Sequence, residues 1–208
     1  MSKFIVVEGL DGTGKTTQIK ILAEYLKNKG MDVEITAEPT AHPTGKLIRR
    51  ILSGEVPATP WSLAALFLSD RIVHNTDSED GIEKMLSEGK TVISDRYYYS
   101  TFAYQGHETD LEWAMKMHED CPEIRRPDLV LFLTMAPEKC VERIRANRPD
   151  EAIEIYENVE SLTKISRKFD AVFGLLGDRE NIVYIDADGT IGEVSERLFA
   201  AVNKALGE

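Results

Sequence analysis

The sequence predicts an α/β protein, in which one parallel sheet of five strands has helices packed on both faces. Short apolar runs alternate along the chain with longer segments of helical character. A glycine-rich stretch directly follows the first run, and parallel sheets of this class bind ligands at the carboxyl ends of their strands. No linker, repeat or low-complexity segment divides the 208 residues, so we expect one domain over residues 1–208.

The five predicted strands are short and dominated by β-branched or other apolar residues. Strands of a parallel sheet that is covered on both faces have this continuous apolar character. The predicted bounds are Phe4–Val7, Val33–Thr36, Thr91–Ser94, Asp128–Leu133 and Ile182–Ile185.

Four helices can be placed between these strands. One begins at Thr59-Pro60, because threonine is a good N-cap and proline suits the first helical position, and we expect it to continue to about Leu86. The other predicted helices run from Thr17 to near Gly30, over Leu47–Leu52 and over Pro137–Asn147.

The glycine-rich stretch reads GLDGTGKT over residues 9–16 and fits the pattern G-x-x-x-x-G-K-[ST] between a strand and a helix. Its glycines let the backbone curl, so that N–H groups and the positive end of the helix converge on phosphate. Lys15 is expected to reach the β- and γ-phosphates, and the Thr16 hydroxyl to help hold the bridging Mg²⁺. This predicts a P-loop NTPase-type fold that binds ATP through Gly9, Leu10, Asp11, Gly12, Thr13, Gly14, Lys15, Thr16 and Thr17.

Two pairs of residues fall where the ligand edge of the sheet is expected. Asp95-Arg96 ends the third strand, where the carboxylate can orient magnesium, directly or through water, and the guanidinium can clamp a second phosphate. On the long helix, Phe67 and Arg71 are four residues apart and project from the same side. Taken alone, these residues fit equally ordinary structures: a surface ion pair, a core phenylalanine and a surface arginine.

Three arginines lie near the end of the fourth helix and just beyond it. Cationic side chains at a helix C-terminus are favourable in any case, so a capping role explains them too. The functional hypothesis is a short lid over about 143–157, in which Arg145 and Arg148 reach the same transferred phosphoryl group.

The net charge of −11 argues against general nucleic-acid binding, which depends on a basic surface. Local clusters of positive charge in such an acidic chain imply a strongly anionic ligand. The only early apolar run, Phe4–Val7, belongs to the first strand, so no signal peptide is expected, and no apolar stretch is long enough to span a bilayer. We therefore expect a soluble, cytoplasmic protein with no membrane partner.

The cysteines and histidines carry no metal pattern in the sequence. Cys121 and Cys140 form no C-x-x-C, which favours buried reduced thiols over a disulfide or a metal site. The four histidines are scattered, and ordinary surface or core positions are expected for His42, His74, His107 and His118.

Over nearly its whole length the chain resembles the thymidylate kinases, which transfer a phosphoryl group from ATP to dTMP. The phosphate loop is shared by many families, whereas LAALFLSDR at 63–71 and SDRYYYSTFAYQG at 94–106 are specific. The lid region from Arg143 to Tyr156-Glu157 and YIDADGTIGEV at 184–194 extend the match. The resemblance implies dTMP and ATP as substrates, Mg²⁺ as cofactor and a homodimer.

The resemblance also implies roles for individual acceptor-side residues. Phe67 would stack on the thymine and Arg71 would donate to its carbonyl edge, while Arg96 would hold the dTMP phosphate. The other implied contacts are Thr101 and Gln105 with the base, Ser100 and Tyr104 with the deoxyribose, where Tyr104 disfavours a 2′-hydroxyl, and Asp11 with the 3′-hydroxyl. On the donor side the resemblance implies Lys15 and the lid arginines, with Ala187 in a turn near the adenine.

The sequence departs from the family pattern at two positions. Many members have an arginine where this chain has Ala37, followed by Glu38, and that arginine contacts the acceptor phosphate; Arg49 is our candidate to replace it. Some members have an arginine in the phosphate loop where this chain has Gly12. Members with glycine there place the catalytic arginine in the lid, which favours Arg148 together with Arg145.

Two other functions remain open at the level of sequence. A deoxynucleoside kinase shares the loop but phosphorylates a hydroxyl and needs a carboxylate base, for which Glu38 is the candidate. A nucleotide-dependent switch or binding protein would account for Asp186–Gly189, which matches D-x-x-G, although no N-K-x-D follows it.

Overall fold

The computed structural model describes residues 2–147 and 158–207. Over these residues the strands form one all-parallel sheet in the order β2-β3-β1-β4-β5. The α/β prediction is confirmed, and each strand lies within two residues of its predicted bounds. The strands are β1 Phe4–Gly9, β2 Val33–Ala37, β3 Thr91–Asp95, β4 Leu129–Thr134 and β5 Ile182–Asp186.

Helices surround the sheet on both sides. In the described part of the chain they are α1 Lys15–Asn28, α2 Pro43–Leu52, α3 Pro60–Thr76, α4 Ile82–Ser87, α5 Tyr98–Glu108, α6 Leu111–Glu119, α7 Pro137–Asn147, α8 Val159–Leu176 and α9 Ile191–Leu206, with a 3-10 turn at Gly177–Arg179. No helix among the described residues is both long enough and apolar enough to cross a bilayer.

The central strands are buried, as their continuous apolar sequence requires. All six residues of β1 are buried, and so are five of the six in β4. Helix α8 covers one face with aromatic side chains: Phe169 and Phe173 pack on Phe132 of β4 with ring centroids 4.9 and 4.8 Å apart. This packing fixes the sheet against the helices that carry the ligand-facing residues.

The prediction of one helix from Thr59-Pro60 to about Leu86 is wrong. The helix ends at Thr76, and α4 follows only after a turn. The turn forms because the Asp77 carboxylate accepts the backbone N–H groups of Glu79 and Asp80, at 2.8 and 3.1 Å. Local side-chain hydrogen bonds of this kind compete with helix continuation, and the apolar periodicity on either side conceals them.

The carboxyl ends of three adjacent strands meet at one edge of the sheet. In the register of the sheet, Val7 of β1 pairs with Asp95 of β3, and Ala37 of β2 pairs with the same Asp95. The residues that immediately follow these strands include Asp11, Glu38 and Arg96. The topology therefore brings three separate parts of the sequence to one place, where ligands of such sheets bind.

Candidate active site

The glycine loop and the start of α1 border a wide cleft of about 690 Å³. Lys15 is buried there, and its Nζ donates to the carbonyl oxygens of Gly9 and Leu10, at 3.0 and 3.1 Å. Burial and the nearby Arg96 guanidinium lower the pKa of Lys15 below its usual value, against the attraction of Asp11. The ammonium group therefore lacks full charge compensation, which favours an anionic ligand. The cleft is lined by Asp11–Gln18, Arg143, Ile144, Gly189–Ile191 and Val194.

Gly12 is the point at which the loop approaches the helix α7. Its φ is +86°, and a Cβ atom placed there would overlap the backbone carbonyl of Cys140. A side chain at this position would push α7 away from the loop. The overlap gives a physical reason why glycine occupies position 12.

Thr16 and Asp95 lie together, as the sequence predicts. The Thr16 hydroxyl donates to Asp95 Oδ2 at 3.0 Å, between the start of α1 and the end of β3. One hydroxyl and one carboxylate at a phosphate loop offer the hard oxygen ligands that Mg²⁺ prefers. The donor set therefore fits the metal expected from the sequence.

The predicted donor-side residues of α7 and β5 are only partly brought together. Arg143 borders the cleft, and its Nη2 lies 3.4 Å from the carbonyl oxygens of both Ala187 and Gly189. Ala187 itself is buried directly after β5. Arg145 is exposed on α7, and Arg148 lies outside the described residues, as does most of the predicted lid.

A second cleft, of about 230 Å³, also borders Asp11. Phe67 and Arg71 both line it, as their spacing on α3 predicts. With the exception of Thr101, all the acceptor-side residues predicted from the sequence border this cleft; its lining is Asp11, Glu38, Pro39, Arg49, Leu52, Phe67, Arg71, Arg96, Tyr97, Ser100, Tyr104 and Gln105.

Arg96 stands at the floor of this second cleft in a left-handed backbone conformation, with φ at 73°. Its guanidinium contacts the Asp11 carboxylate, donates to Ser100 Oγ at 2.8 Å and lies 3.3 Å from the carbonyl oxygen of Gly9. Such backbone strain in a non-glycine residue is held in place by surrounding structure and clusters at functional sites. Burial opposes its charge, but Asp11 and Glu8 raise the pKa of Arg96 above the usual value.

Glu8 was missed by the sequence analysis, although it holds this arrangement together. It is fully buried at the end of β1, and Oε1 accepts the backbone N–H groups of Tyr97 and Ser100 at 2.9 and 3.1 Å. Ser100 Oγ donates to the other carboxylate oxygen at 2.8 Å. Desolvation raises the pKa of Glu8, against the effect of Arg96. A charged residue inside the apolar run FIVVEG was the available signal.

Asp11 and Tyr104 form the wall between the two clefts. Tyr104 Oη donates to Asp11 Oδ2 at 2.9 Å, and Asp11 borders both clefts. Burial alone would raise the pKa of Asp11, but Arg96 and Lys15 together lower it to about 2. Asp11 therefore stays negatively charged beside two cations.

The inner end of the second cleft contains a buried ion pair. The Arg71 side chain is 1% exposed, and its Nε and Nη2 both contact Glu38 Oε2. Nη2 also lies 3.2 Å from Thr101 Oγ1, so Thr101, which does not border the cleft, reaches it through Arg71. Gln105 is buried on the same helix as Thr101.

Two histidines flank this ion pair, and their spacing in the sequence does not predict this position. His74 Nδ1 lies 3.0 Å from Glu38 Oε1, and its Nε2 lies 2.6 Å from Thr36 Oγ1. His118 Nε2 lies 2.5 Å from Arg71 Nη1. Both rings are buried, which agrees with the expected core positions but adds contacts that spacing alone does not reveal.

Asp70, which is also buried, supports the loop that follows β2. Its carboxylate accepts the Thr40 N–H at 2.8 Å and both the Thr40 and Thr44 hydroxyls at 2.6 Å. Arg49, the candidate for the missing family arginine, is exposed on α2 and borders the cleft. Its guanidinium donates to the carbonyl oxygens of Pro39 and Thr40. The loop that follows β2 is thus fixed from both sides.

The two cysteines are free thiols in the structure. Cys140 is buried, and desolvation raises the pKa of its thiol to about 11, so it is unreactive at neutral pH. The expectation of burial is wrong for Cys121, which is only partly buried where the chain leaves α6.

Comparison with known proteins identifies the family. A family model described as thymidylate kinase matches residues 7–198. The chain belongs to the thymidylate kinase family. It is 35% identical to a probable thymidylate kinase of Thermococcus kodakarensis over 219 residues, with 99% of each chain covered. A thymidylate kinase of Desulfotalea psychrophila is 40% identical over 171 residues, which cover 82% of this chain and 81% of the relative. This thymidylate kinase family member is thus an ATP-dependent nucleoside monophosphate kinase.

Proposed function

We propose that the chain transfers the γ-phosphoryl group of ATP to dTMP, giving dTDP and ADP, with the two clefts as donor and acceptor sites. The observation that carries this proposal is Asp11, which borders both clefts. Lys15 lies on one side of it and Arg96 on the other. A phosphoryl group bound by Lys15 would therefore face a phosphate bound by Arg96, as transfer between two nucleotides requires.

On the acceptor side, Arg96 would bind the dTMP phosphate, with Ser100 and Tyr104 against the deoxyribose. Tyr104 would leave no room for a 2′-hydroxyl, and Asp11 would accept a hydrogen bond from the 3′-hydroxyl. Phe67 would stack on the thymine and Arg71 would donate to its carbonyl edge. Thr101, Gln105, Glu38 and Arg49 complete the proposed acceptor site.

On the donor side, the glycine loop from Gly9 to Thr17 would wrap the phosphates of ATP. Thr16 and Asp95 would hold Mg²⁺, which neutralises charge on the phosphates when bound. Arg143 and Ala187 would border the adenine. Arg145 and Arg148 are proposed to stabilise the transferred group, because the glycine at position 12 leaves the loop without an arginine.

The rival hydroxyl-phosphorylating function needs a free carboxylate, and Glu38 does not offer one. Its two oxygens are occupied by Arg71 and His74. A phosphate acceptor already carries a nucleophilic oxygen and needs no general base. The Asp186–Gly189 stretch likewise serves the fold: Arg197 Nη1 donates to the carbonyl oxygens of Asp186 and Asp188, at 2.6 and 3.0 Å, in the turn before α9.

The test is ADP release from ATP and magnesium in the presence of different acceptors. dTMP, thymidine, dUMP, dCMP, AMP and no acceptor would be compared side by side, with chromatography of the products. Strong stimulation by dTMP with dTDP as product is expected. Stimulation by thymidine instead would favour a deoxynucleoside kinase that uses a carboxylate base. ADP release without any acceptor would favour a nucleotide-dependent switch.

We also propose a cytoplasmic homodimer, which the family resemblance implies. Light scattering of the purified protein would give twice the chain mass of 23.4 kDa, about 47 kDa. A mass of one chain at the same concentration would contradict the dimer.

A further inference from the structure

The buried Arg71 uses nearly all its hydrogen-bonding capacity inside the protein. A guanidinium has five N–H bonds. Nε donates to Glu38, Nη2 to Glu38 and Thr101, and Nη1 to His118. Among the described residues these four contacts leave one N–H bond, on Nη1, for a ligand in the cleft. The Tyr97 ring lies 5.2 Å from the guanidinium carbon, so the plane of the group is also held.

The protonation state of His118 follows from its two contacts. Its Nδ1 lies 2.8 Å from the carbonyl oxygen of Ala114, one helical turn earlier, which can only accept. Nδ1 therefore carries the hydrogen, and Nε2 presents a lone pair to Arg71. Burial and the neighbouring guanidinium lower the pKa of His118 to about 3, so the ring stays neutral where the enzyme works.

The ring itself is held firmly on α6. His118 is buried, with 3% of its surface exposed. Its ring packs edge to face against the Phe102 ring, with the two ring centroids 5.2 Å apart. Among the described residues, the hydrogen-bond contacts of the ring are with the carbonyl oxygen of Ala114 and with Arg71 Nη1. The interaction thus joins α6 to α3 across the inner end of the acceptor cleft.

We propose that His118 is a positioning residue for base recognition: as a neutral acceptor it occupies one N–H bond of Arg71 Nη1 and directs the remaining one to the base. This inference rests on the proposed function. The remaining N–H of Arg71 Nη1 can donate to a carbonyl oxygen on the base edge. An amino group at the same place is itself a donor and cannot accept this hydrogen bond. His118 therefore contributes to the preference for thymine over cytosine without touching either base.

The test compares His118→Phe, which keeps a ring but removes the acceptor, with His118→Gln, whose amide oxygen can accept from Arg71. In His118→Phe we expect KM for dTMP to rise about tenfold and the preference for dTMP over dCMP to fall about as much, because a hydrogen bond to a charged group is lost. KM for ATP should not change. In His118→Gln, KM for dTMP should return to within about threefold of wild type. Lys116→Gln, an exposed change on the same helix, is the matched control.

Two further measurements separate positioning from mere structural support. 2-Deoxyribose 5-phosphate has the sugar and phosphate but no base, so its binding, followed by calorimetry, should be the same in wild type and His118→Phe. In an Arg71→Ala background, His118→Phe should add no further effect on dTMP. If the phenylalanine variant does not fold, His118→Met removes the acceptor with a more adaptable side chain.

The outcomes distinguish this inference from the function on which it rests. If wild type does not phosphorylate dTMP, the proposed function fails. If wild type does and His118→Phe has the same KM and the same dTMP preference, only the role of His118 is refuted. Equal weakening of dTMP and 2-deoxyribose 5-phosphate, or no recovery in His118→Gln, would likewise overturn it in favour of general support of the cleft.

Discussion

The proposed donor cleft and the proposed acceptor cleft differ in the groups that form them. The donor cleft is built around a glycine loop, and the Lys15 ammonium donates to two carbonyl oxygens of that loop. The acceptor cleft is formed by side chains that hold one another: Glu8 fixes Ser100, and Glu38 and His118 fix Arg71. Every strand end from β1 to β3 contributes to it.

This difference matches what each cleft has to recognise. Triphosphates are common to many substrates, and a ring of N–H groups binds them without regard to the base. A particular monophosphate must be distinguished by its base and sugar, which requires polar side chains at fixed positions. We therefore expect changes at the donor cleft to reduce turnover and changes at the acceptor cleft to alter substrate choice.

The largest effect is expected for Lys15→Ala. The change removes the cation that would stabilise charge on the transferred phosphoryl group, and kcat should fall about a thousandfold. The preference for dTMP over dCMP should persist in the remaining activity. Lys20→Ala, an exposed change on the same helix, serves as the control. Steady-state kinetics would give kcat for both variants, and a similar kcat in the two would contradict the role of Lys15.

Arg71→Ala should affect the acceptor side instead. KM for dTMP should rise about a hundredfold through loss of charged hydrogen bonds, and preference among monophosphates should relax. The variant also leaves the Glu38 carboxylate buried without its guanidinium partner, with only His74 beside it, which should reduce the free energy of unfolding by about 3–5 kcal/mol.

The double variant Arg71→Ala, Glu38→Gln separates these two consequences. Removing the unpaired charge should recover much of the lost stability in denaturant melts, whereas KM for dTMP should stay high. Unchanged discrimination among monophosphates in either variant would rule out base recognition by Arg71.

A smaller effect is expected where the glycine loop packs against α7. Gly12→Ala adds a side chain against the Cys140 carbonyl in a left-handed backbone, which should cost about 2–4 kcal/mol of stability. Gly30→Ala is the matched control, because Gly30 has nearly the same φ, +85°, and open space around it. It should cost only about 1–2 kcal/mol. Equal melting shifts for the two would show that α7 does not restrict position 12.

The smallest effect is expected for Tyr104→Phe. Loss of the hydrogen bond to Asp11 should lower stability by about 1 kcal/mol, while dTMP turnover changes little. The space left by the hydroxyl should improve use of an acceptor with a 2′-hydroxyl. The measurement is kcat/KM for dTMP and for its ribose counterpart in wild type and in Tyr104→Phe. If the ratio of the two kcat/KM values is unchanged in the variant, Tyr104 does not discriminate between the sugars.

Much of the fold could be predicted because its signals are local. The apolar runs and the glycine loop depend on neighbouring residues, so the strands and the phosphate loop were placed correctly. The break at Asp77 was missed because it depends on one side chain that bonds to its own turn. Apolar periodicity on both sides of it favours a continuous helix.

The supporting residues of the acceptor cleft could not be predicted in the same way. His118 meets Arg71 47 residues away in sequence, and Glu38 meets it from 33 residues away in the other direction. Such contacts depend on how α3 and α6 pack, which no spacing in the sequence encodes. Glu8 was more accessible to reasoning, because a carboxylate at the end of a buried strand requires partners.

The yield of dTDP per ADP released shows whether the phosphoryl group passes directly between two adjoining clefts. The wild-type protein would be given saturating ATP, magnesium and dTMP, and both products quantified over the same early interval. We expect one dTDP for each ADP, because the acceptor phosphate would lie where water would otherwise attack. A clear excess of ADP over dTDP would contradict it, since phosphoryl groups would then be passing to water instead of the neighbouring cleft.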